Sequence, residues 1–245
     1  MESESAMDTN DLFTANYPTP TATRPLLGLT VLVVEDSRYA YEAMRLLCLR
    51  SGARIRRADC IRSARRHLQV YRPTVVVVDM GLPDGNGADL IAELAQAETE
   101  KSVVLATSAD DNLAEKAAIA GAQGFLSKPI SSLAVFQQLI LGALPADRQP
   151  PGLRPVVNDQ VTPDEIAYHD DINYAAELLD NLTDDKALDY IAQFLEGVAR
   201  SVDDGGMEQA ARALATRRAA GQTVISETAQ IAGLIQKRLV TKIAI

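Results

Sequence analysis

Between residues 28 and 144, unbroken apolar runs take turns with segments of helical spacing. The runs are TVLVVED (30–36), TVVVVD (74–79), SVVLATS (102–108) and the short GFLS (124–127); ARIRRA (53–58) is a shorter, more polar strand. A run of β-branched residues without alternation belongs to a strand covered on both faces. The intervening segments, 37–52, 60–71, 87–97, 111–122 and 131–144, carry apolar residues at helical spacing. Gly52, Pro73 and Gly121 mark stops among them. Strand–helix alternation of this kind predicts a doubly wound, five-stranded parallel sheet with helices on both faces and right-handed crossovers.

The flanks differ. Residues 1–27 hold Ser, Thr, Pro and acids without period and read as a disordered tail. Residues 145–162 are punctuated by Pro145, Pro150, Pro151 and Pro155 and read as a proline-stiffened linker. From 163 to 245 only helical spacing remains. The stripes are Ala175, Leu178, Leu179 and Leu182, then Leu188, Ile191, Leu195 and Val198, then Ile231, Leu234, Ile235 and Leu239. Thr162 with Glu165 fits a capping box around Pro163, and Gly205–Gly206 and Gly221 read as stops. The expectation is a small all-α domain of four or five helices.

Composition narrows the function classes. A net charge of −9 over 245 residues argues against a general nucleic-acid or anionic-membrane binder. Cys48 and Cys60 offer no disulfide framework, which suits a reducing cytoplasm. No apolar run is long enough to cross a bilayer, and the acidic MESESAMDTN start does not read as a secretory signal.

The chemistry sits at the strand ends. In an open parallel sheet, ligands bind beyond the carboxyl ends of the strands, where helix direction switches. Strand one ends in Glu35–Asp36, the valine strand in Asp79, the next in Thr107–Ser108, and the last runs into Lys128–Pro129. Carboxylates this close raise one another's pKa unless a cation intervenes. Mg²⁺, a hard ion that accepts one or two carboxylates plus phosphate oxygens and waters, answers that conflict. Acids, a hydroxyl and a lysine on one edge are the parts that place and neutralise a phosphoryl group.

VLVVEDS, VVVVDMGLPDGNG, VVLATSADD and GAQGFLSKPI, in this order, resemble the receiver domain of two-component response regulators, of the chemotaxis-regulator type, over residues 29–144. The resemblance implies a flavodoxin-like strand order and Asp79 as phosphoacceptor. Glu35 and Asp36, with Asp79 and the carbonyl of Gly81, would hold Mg²⁺, and Lys128 would pair with the acceptor. Thr107 and Phe125 would be the switch pair. Counted back from Lys128 the switch hydroxyl falls on Ala106, so Thr107 requires a helix one residue shorter than usual, with Ser108 as fallback. The resemblance also implies self-catalysed phosphorylation and dephosphorylation, a sensor histidine kinase or phosphotransfer protein as donor, and a Lys128–Pro129 bond that is often cis.

Plainer readings stand beside these. Glu35–Asp36 alone would suit a helix cap, Phe125 a core position, and His67 with the basic segment 56–66 a solvated face. The α-domain admits three roles. Acids dominate 156–209, where Lys186 and Arg200 are the bases; 210–245 holds Arg212, Arg217, Arg218, Lys237, Arg238 and Lys242 against Glu227. That division favours binding a partner protein or a second copy. A nucleic-acid output through the basic end is second, without a recognition-helix signature. A phosphotransfer bundle using His169, which is followed by Asp170, is third; no Gly-rich nucleotide motif accompanies it.

Overall fold

The computed structural model describes residues 19–97, 102–152, 159–182 and 185–240. The valine-rich runs form strands within a residue or two of their expected limits: β1 (Thr30–Val34), β2 (Arg54–Ala58), β3 (Val75–Asp79), β6 (Val103–Ser108) and β7 (Gly124–Ser127). They pair in parallel in the order β2-β1-β3-β6-β7. Two-residue strands β4 (Gly81–Leu82) and β5 (Gly85–Asn86) form a small antiparallel ladder in the loop after Asp79.

Period-two geometry sends alternate side chains of each strand to opposite faces. Val31, Val33, Val75, Val77, Val103 and Leu105 pack with Met44 and Leu47 of α1 (Arg38–Ser51) and Phe136 and Ile140 of α5 (Leu133–Ala143). Leu32, Val34, Val76, Val78, Val104 and Ala106 pack with Ile61 of α2 (Ile61–Val70), Leu90 and Ile91 of α3 (Gly87–Gln96) and Ala117 of α4 (Leu113–Ala120). The helices thus cover both faces, and their direction reverses between β1 and β3, the strands that end beside Asp36 and at Asp79.

One backbone approach pins the loop that follows Asp79. A Cβ on Gly87 would lie 2.0 Å from the carbonyl oxygen of Asp79 and 3.0 Å from Cα of Met80, both main-chain atoms that cannot swing aside. Gly87→Ala is therefore expected to lower the unfolding free energy by ~1–3 kcal/mol, measured by urea denaturation, because the loop must shift off β3.

The flanks depart from expectation in places. Residues 1–18 of the expected tail lie outside the described residues, but 19–27 do not: Leu26 is fully buried in the sheet core and its N–H donates to the Ser51 carbonyl at 2.9 Å. At the far end of the expected linker, Val161 is buried and its N–H donates to Ser131 at 2.9 Å, so the chain ties back to the start of α5. Residues 153–158 lie outside the described residues.

The C-terminal region is a helical bundle of α6 (Glu165–Asp180), α7 (Asp185–Ser201), α8 (Gly205–Ala219) and α9 (Ile225–Val240). Its core gathers Ala175, Ile191, Leu195, Val198, Ile231 and Ile235 from the expected stripes, with Ile172 of α6 and Leu214 of α8. Two local readings are corrected. Asp164, not Thr162, caps α6, its carboxylate accepting from Ile166 N at 2.7 Å; a charged cap one residue from the helix serves the dipole as well as the N–H. Gly205–Gly206 open α8 instead of ending α7, because Asp204 behind them caps Met207 N at 3.1 Å.

The acidic and basic halves meet inside the bundle. Arg212 pairs with Glu196 (3.0 Å) and Glu208 (2.7 Å), Arg218 with Asp189 (2.7 Å) and Arg238 with Asp204 across the two halves, while Arg217 pairs with Glu227 (2.9 Å) within the basic one. The charge division read as a motive for self-association is thus met within one chain.

Candidate functional site

The strand ends bring the predicted acids together. Ligand oxygens of Glu35, Asp36 and Asp79 all lie within 4.8 Å of one another. Glu35 and Asp36 follow β1 directly, and Asp79 is the last residue of β3, its neighbour in the sheet. Lys128 reaches them from the end of β7: its Nζ is 2.8 Å from Glu35 Oε2, 3.0 Å from Oε1 and 3.1 Å from Asp79 Oδ1. The Lys128–Pro129 bond is cis.

Burial dominates the electrostatics. Glu35 is fully buried, and desolvation pushes its carboxyl up to about 7 against the pull of the Lys128 charge. Asp79 rises to about 7 for the same reason, with Lys128 opposing and Glu35 adding to the rise. Asp36 rises to about 7 through burial and the Asp79 charge, opposed by a hydroxyl from Tyr190. Burial works to lower the Lys128 ammonium, but Asp79 and Glu35 outweigh it and hold its pKa above the ordinary lysine range. Three acids facing one base leave this pocket short of positive charge. Glu35 Oε2 is buried with the Lys128 ammonium at 2.8 Å, and a carboxylate oxygen with two lone pairs keeps acceptor capacity beyond that ion pair. An all-oxygen set in that condition fits a hard divalent cation.

The remaining predicted residues are placed as follows. Gly81 lines the small cavity above Asp79 together with Glu35, Asp36 and Lys128. Thr107 stands opposite Asp79 in the strand register, but its hydroxyl is buried and donates to the Leu126 carbonyl at 2.8 Å. Ser108, not Thr107, lines the cavity, its hydroxyl accepting from Asp110 N at 3.1 Å. Phe125 is half-buried against the second core cluster. His169, half-buried on α6, lies in a separate cleft of about 760 Å³ shared with Lys128, Pro129 and Ser131. The basic segment 56–66 contributes Arg57, which donates to the backbone oxygens of Glu35 (3.2 Å) and Asp36 (2.5 Å) and so braces the acid pair.

The bundle supplies residues that sequence reasoning did not find. Tyr190 of α7 donates its hydroxyl to Asp36 Oδ2, one oxygen of the acid set. Asp171 of α6 is buried against the start of α1, accepting from Ser37 Oγ (2.7 Å), Arg38 N (2.7 Å) and Tyr39 N (3.0 Å). Gln193 lays its carboxamide over Gly81, where a Cβ would stand 2.1 Å from its nitrogen. Arg200 donates to the Ala109 carbonyl just past β6. Local sequence carried only one faint signal for these, an acid pair in a helix whose other face is apolar.

Comparisons with known proteins concern the sheet-containing half of the chain. Residues 31–140 match the family described as response regulator receiver domain. The KDP operon transcriptional regulatory protein KdpE of Escherichia coli is 30% identical over 99 residues, covering 40% of this chain and 44% of that protein. The transcriptional regulatory protein DpiA of the same organism is 33% identical over 106 residues, covering 42% and 47%. The chain thus spans less than half the length of these relatives. Among solved structures, a receiver domain from Methylobacillus flagellatus is 25% identical, with a TM-score of 0.43, over 47% of this chain and 98% of that one. A response regulator from Thermotoga maritima is 24% identical, with a TM-score of 0.42, over 51% and 97%. Among the described residues no helix is long and apolar enough to cross a membrane. Residues 31–140 of this chain are a response regulator receiver domain.

Proposed function

We propose that this chain accepts a phosphoryl group on Asp79 in the presence of Mg²⁺ and passes the change to its helical bundle. The observation that carries the reading is the meeting of Glu35, Asp36, Asp79 and Lys128 within one buried edge. Asp79 is the acceptor because it ends β3 and keeps a little surface open to the cavity, whereas Glu35, which lines the same cavity, is fully buried with both oxygens within 3.0 Å of Lys128. Glu35, Asp36 and Asp79 would hold Mg²⁺ with the Gly81 carbonyl, and the ion would neutralise phosphoryl oxygens. Lys128 holds the acceptor carboxylate in place and supplies a fixed positive charge beside it. Burial of the edge strengthens each of these interactions.

The phosphodonor is a sensor histidine kinase, a phosphotransfer protein or a small acyl phosphate, since Asp79 needs a donor of high transfer potential. Thr107 would serve as switch by turning from Leu126 toward the phosphoryl group, with Ser108, already on the cavity, as alternative. The bundle acts as a protein-binding output. A nucleic-acid output is favoured by the relatives' names alone, while the arginines Arg212, Arg217, Arg218 and Arg238 are held in ion pairs. Transfer to His169 has weaker support, its ring being half-buried against Tyr168 at 6.0 Å between centroids.

Calorimetric titration of the full chain with Mg²⁺ at neutral pH tests the site; the sequence has no tryptophan to report by fluorescence. Asp36→Ala is expected to abolish the binding heat, because it removes an acid from the ion's oxygen set. Unchanged affinity would reduce the acid pair to a helix cap.

A further inference from the structure

We propose that the face of α6 and α7 bearing Asp171, Tyr190, Gln193 and Phe194 is a docking surface for the acceptor edge of a receiver, occupied at rest by this chain's own. A cation and a phosphoryl group at Glu35, Asp36 and Asp79 then compete with it for the same atoms. This rests on the reading of Asp79 as acceptor and goes beyond it.

The occupant is already seated. Asp171 fills the N-terminus of α1, Tyr190 takes Asp36 Oδ2, Gln193 covers Gly81, and Arg200 ties α7 to Ala109 beyond β6. Arg38 and Asp170 add an exposed ion pair of 3.3 Å at the rim. Phe194 anchors the patch, buried with its ring edge-on to Tyr174 at 5.4 Å between centroids and tilted against Tyr190 at 5.9 Å.

The places taken are those the chemistry needs. Tyr190 points an O–H, a donor, at an oxygen that a cation requires as a lone pair. An ion bound there turns an attractive dipole into a repulsive one. Gln193 stands over the main chain whose carbonyl completes the ligand set. The space left above Asp79 is about 40 Å³, room for about one to three waters. A phosphoryl group with a Mg²⁺ that keeps several waters needs more. Closed and loaded states therefore exclude each other.

The interface is built to let go. Its direct contacts are largely hydrogen bonds to charged or main-chain groups around one aromatic anchor, the composition of a reversible interface between domains. Linkage then fixes the sign: if the ion weakens docking, docking weakens ion binding by the same factor.

The test uses the full chain. Wild type, Tyr190→Phe and Asp171→Ala are titrated with Mg²⁺ by calorimetry. Phosphate uptake from acetyl phosphate is followed on Phos-tag gels, and hydrogen exchange of 185–201 is read with and without Mg²⁺ and beryllofluoride. Each variant loses hydrogen bonds that hold the closed form, so Mg²⁺ affinity and uptake rate should rise roughly tenfold. In wild type, beryllofluoride with Mg²⁺ should speed exchange in 185–201, and in Asp79→Asn it should not. Circular dichroism confirms that each variant folds, and two variants on different helices guard against a local defect in either. Affinity, rate and exchange unchanged in both variants, with wild type taking up phosphate, overturn the docking proposal and leave the acceptor reading standing. No uptake by wild type or either variant sinks the acceptor reading itself. Protection of 185–201 that grows with protein concentration places the occupant in a second copy and overturns docking within the chain.

Discussion

Asp79→Asn is expected to abolish acid-labile phosphate incorporation from acetyl phosphate, read by Phos-tag gel or intact mass, while the chain stays folded. The carboxamide keeps the shape of the acid at the end of β3 but has no oxygen able to form an acyl phosphate. Glu35 cannot substitute, because it is fully buried and both of its oxygens lie within 3.0 Å of the Lys128 ammonium. Asp36 is engaged by Tyr190. Loss should therefore be complete, not partial. The substitution also removes one of three mutually repelling acids, so the fold should not weaken. Incorporation at the wild-type level in the variant would remove Asp79 from the acceptor role.

Lys128→Ala has the largest expected effect on stability. Lys128 is buried and faces Glu35 and Asp79 at 2.8 and 3.1 Å. Removing one partner of a buried charge set leaves the others uncompensated, at a cost of ~3–5 kcal/mol, which in a chain of this size lowers Tm by roughly 10 °C. The pH dependence has a definite sign. Glu35 and Asp79 sit at about 7 in the folded chain against 4.5 and 3.8 ordinarily. Between those values the folded form holds protons that the unfolded chain has released, so stability falls as pH rises through that window. Without the lysine that lowers both acids, the window extends upward. The penalty of Lys128→Ala should thus be greatest near pH 8 and shrink toward pH 6, and saturating Mg²⁺ should offset it if the ion binds the folded site alone, as proposed. Thermal melts at both pH values, with and without Mg²⁺, check this. A penalty that is the same at both pH values and indifferent to Mg²⁺ would mean that the lysine stem, not its charge, matters.

The sequence by itself determined the receiver. Val75 to Val78 can only be a strand covered on both faces, and period-two geometry then assigns each valine to one of two cores. Once strands and helices alternate, chirality and the switch-point rule carry Asp36 and Asp79 to adjacent strand ends without reference to any distant contact. Boundaries moved by a residue or two for local reasons, as where Asp164 caps α6 in preference to Thr162.

Tertiary structure decided the rest. The orientation of Thr107 depends on β7, nineteen residues away, whose Leu126 carbonyl claims its hydroxyl. Burial of Leu26 depends on Ser51 offering a carbonyl beside it. Above all, the docking of Asp171 on Ser37 joins residues separated by 134 positions, and that of Tyr190 on Asp36 by 154. Each side chain is ordinary in its own helix. Periodicity reports which face of a helix is apolar, but the polar face that seeks another domain's main chain carries no period. Such a contact is specified only by where the sheet with its helices and the helical bundle meet, and that is a property of their surfaces in three dimensions.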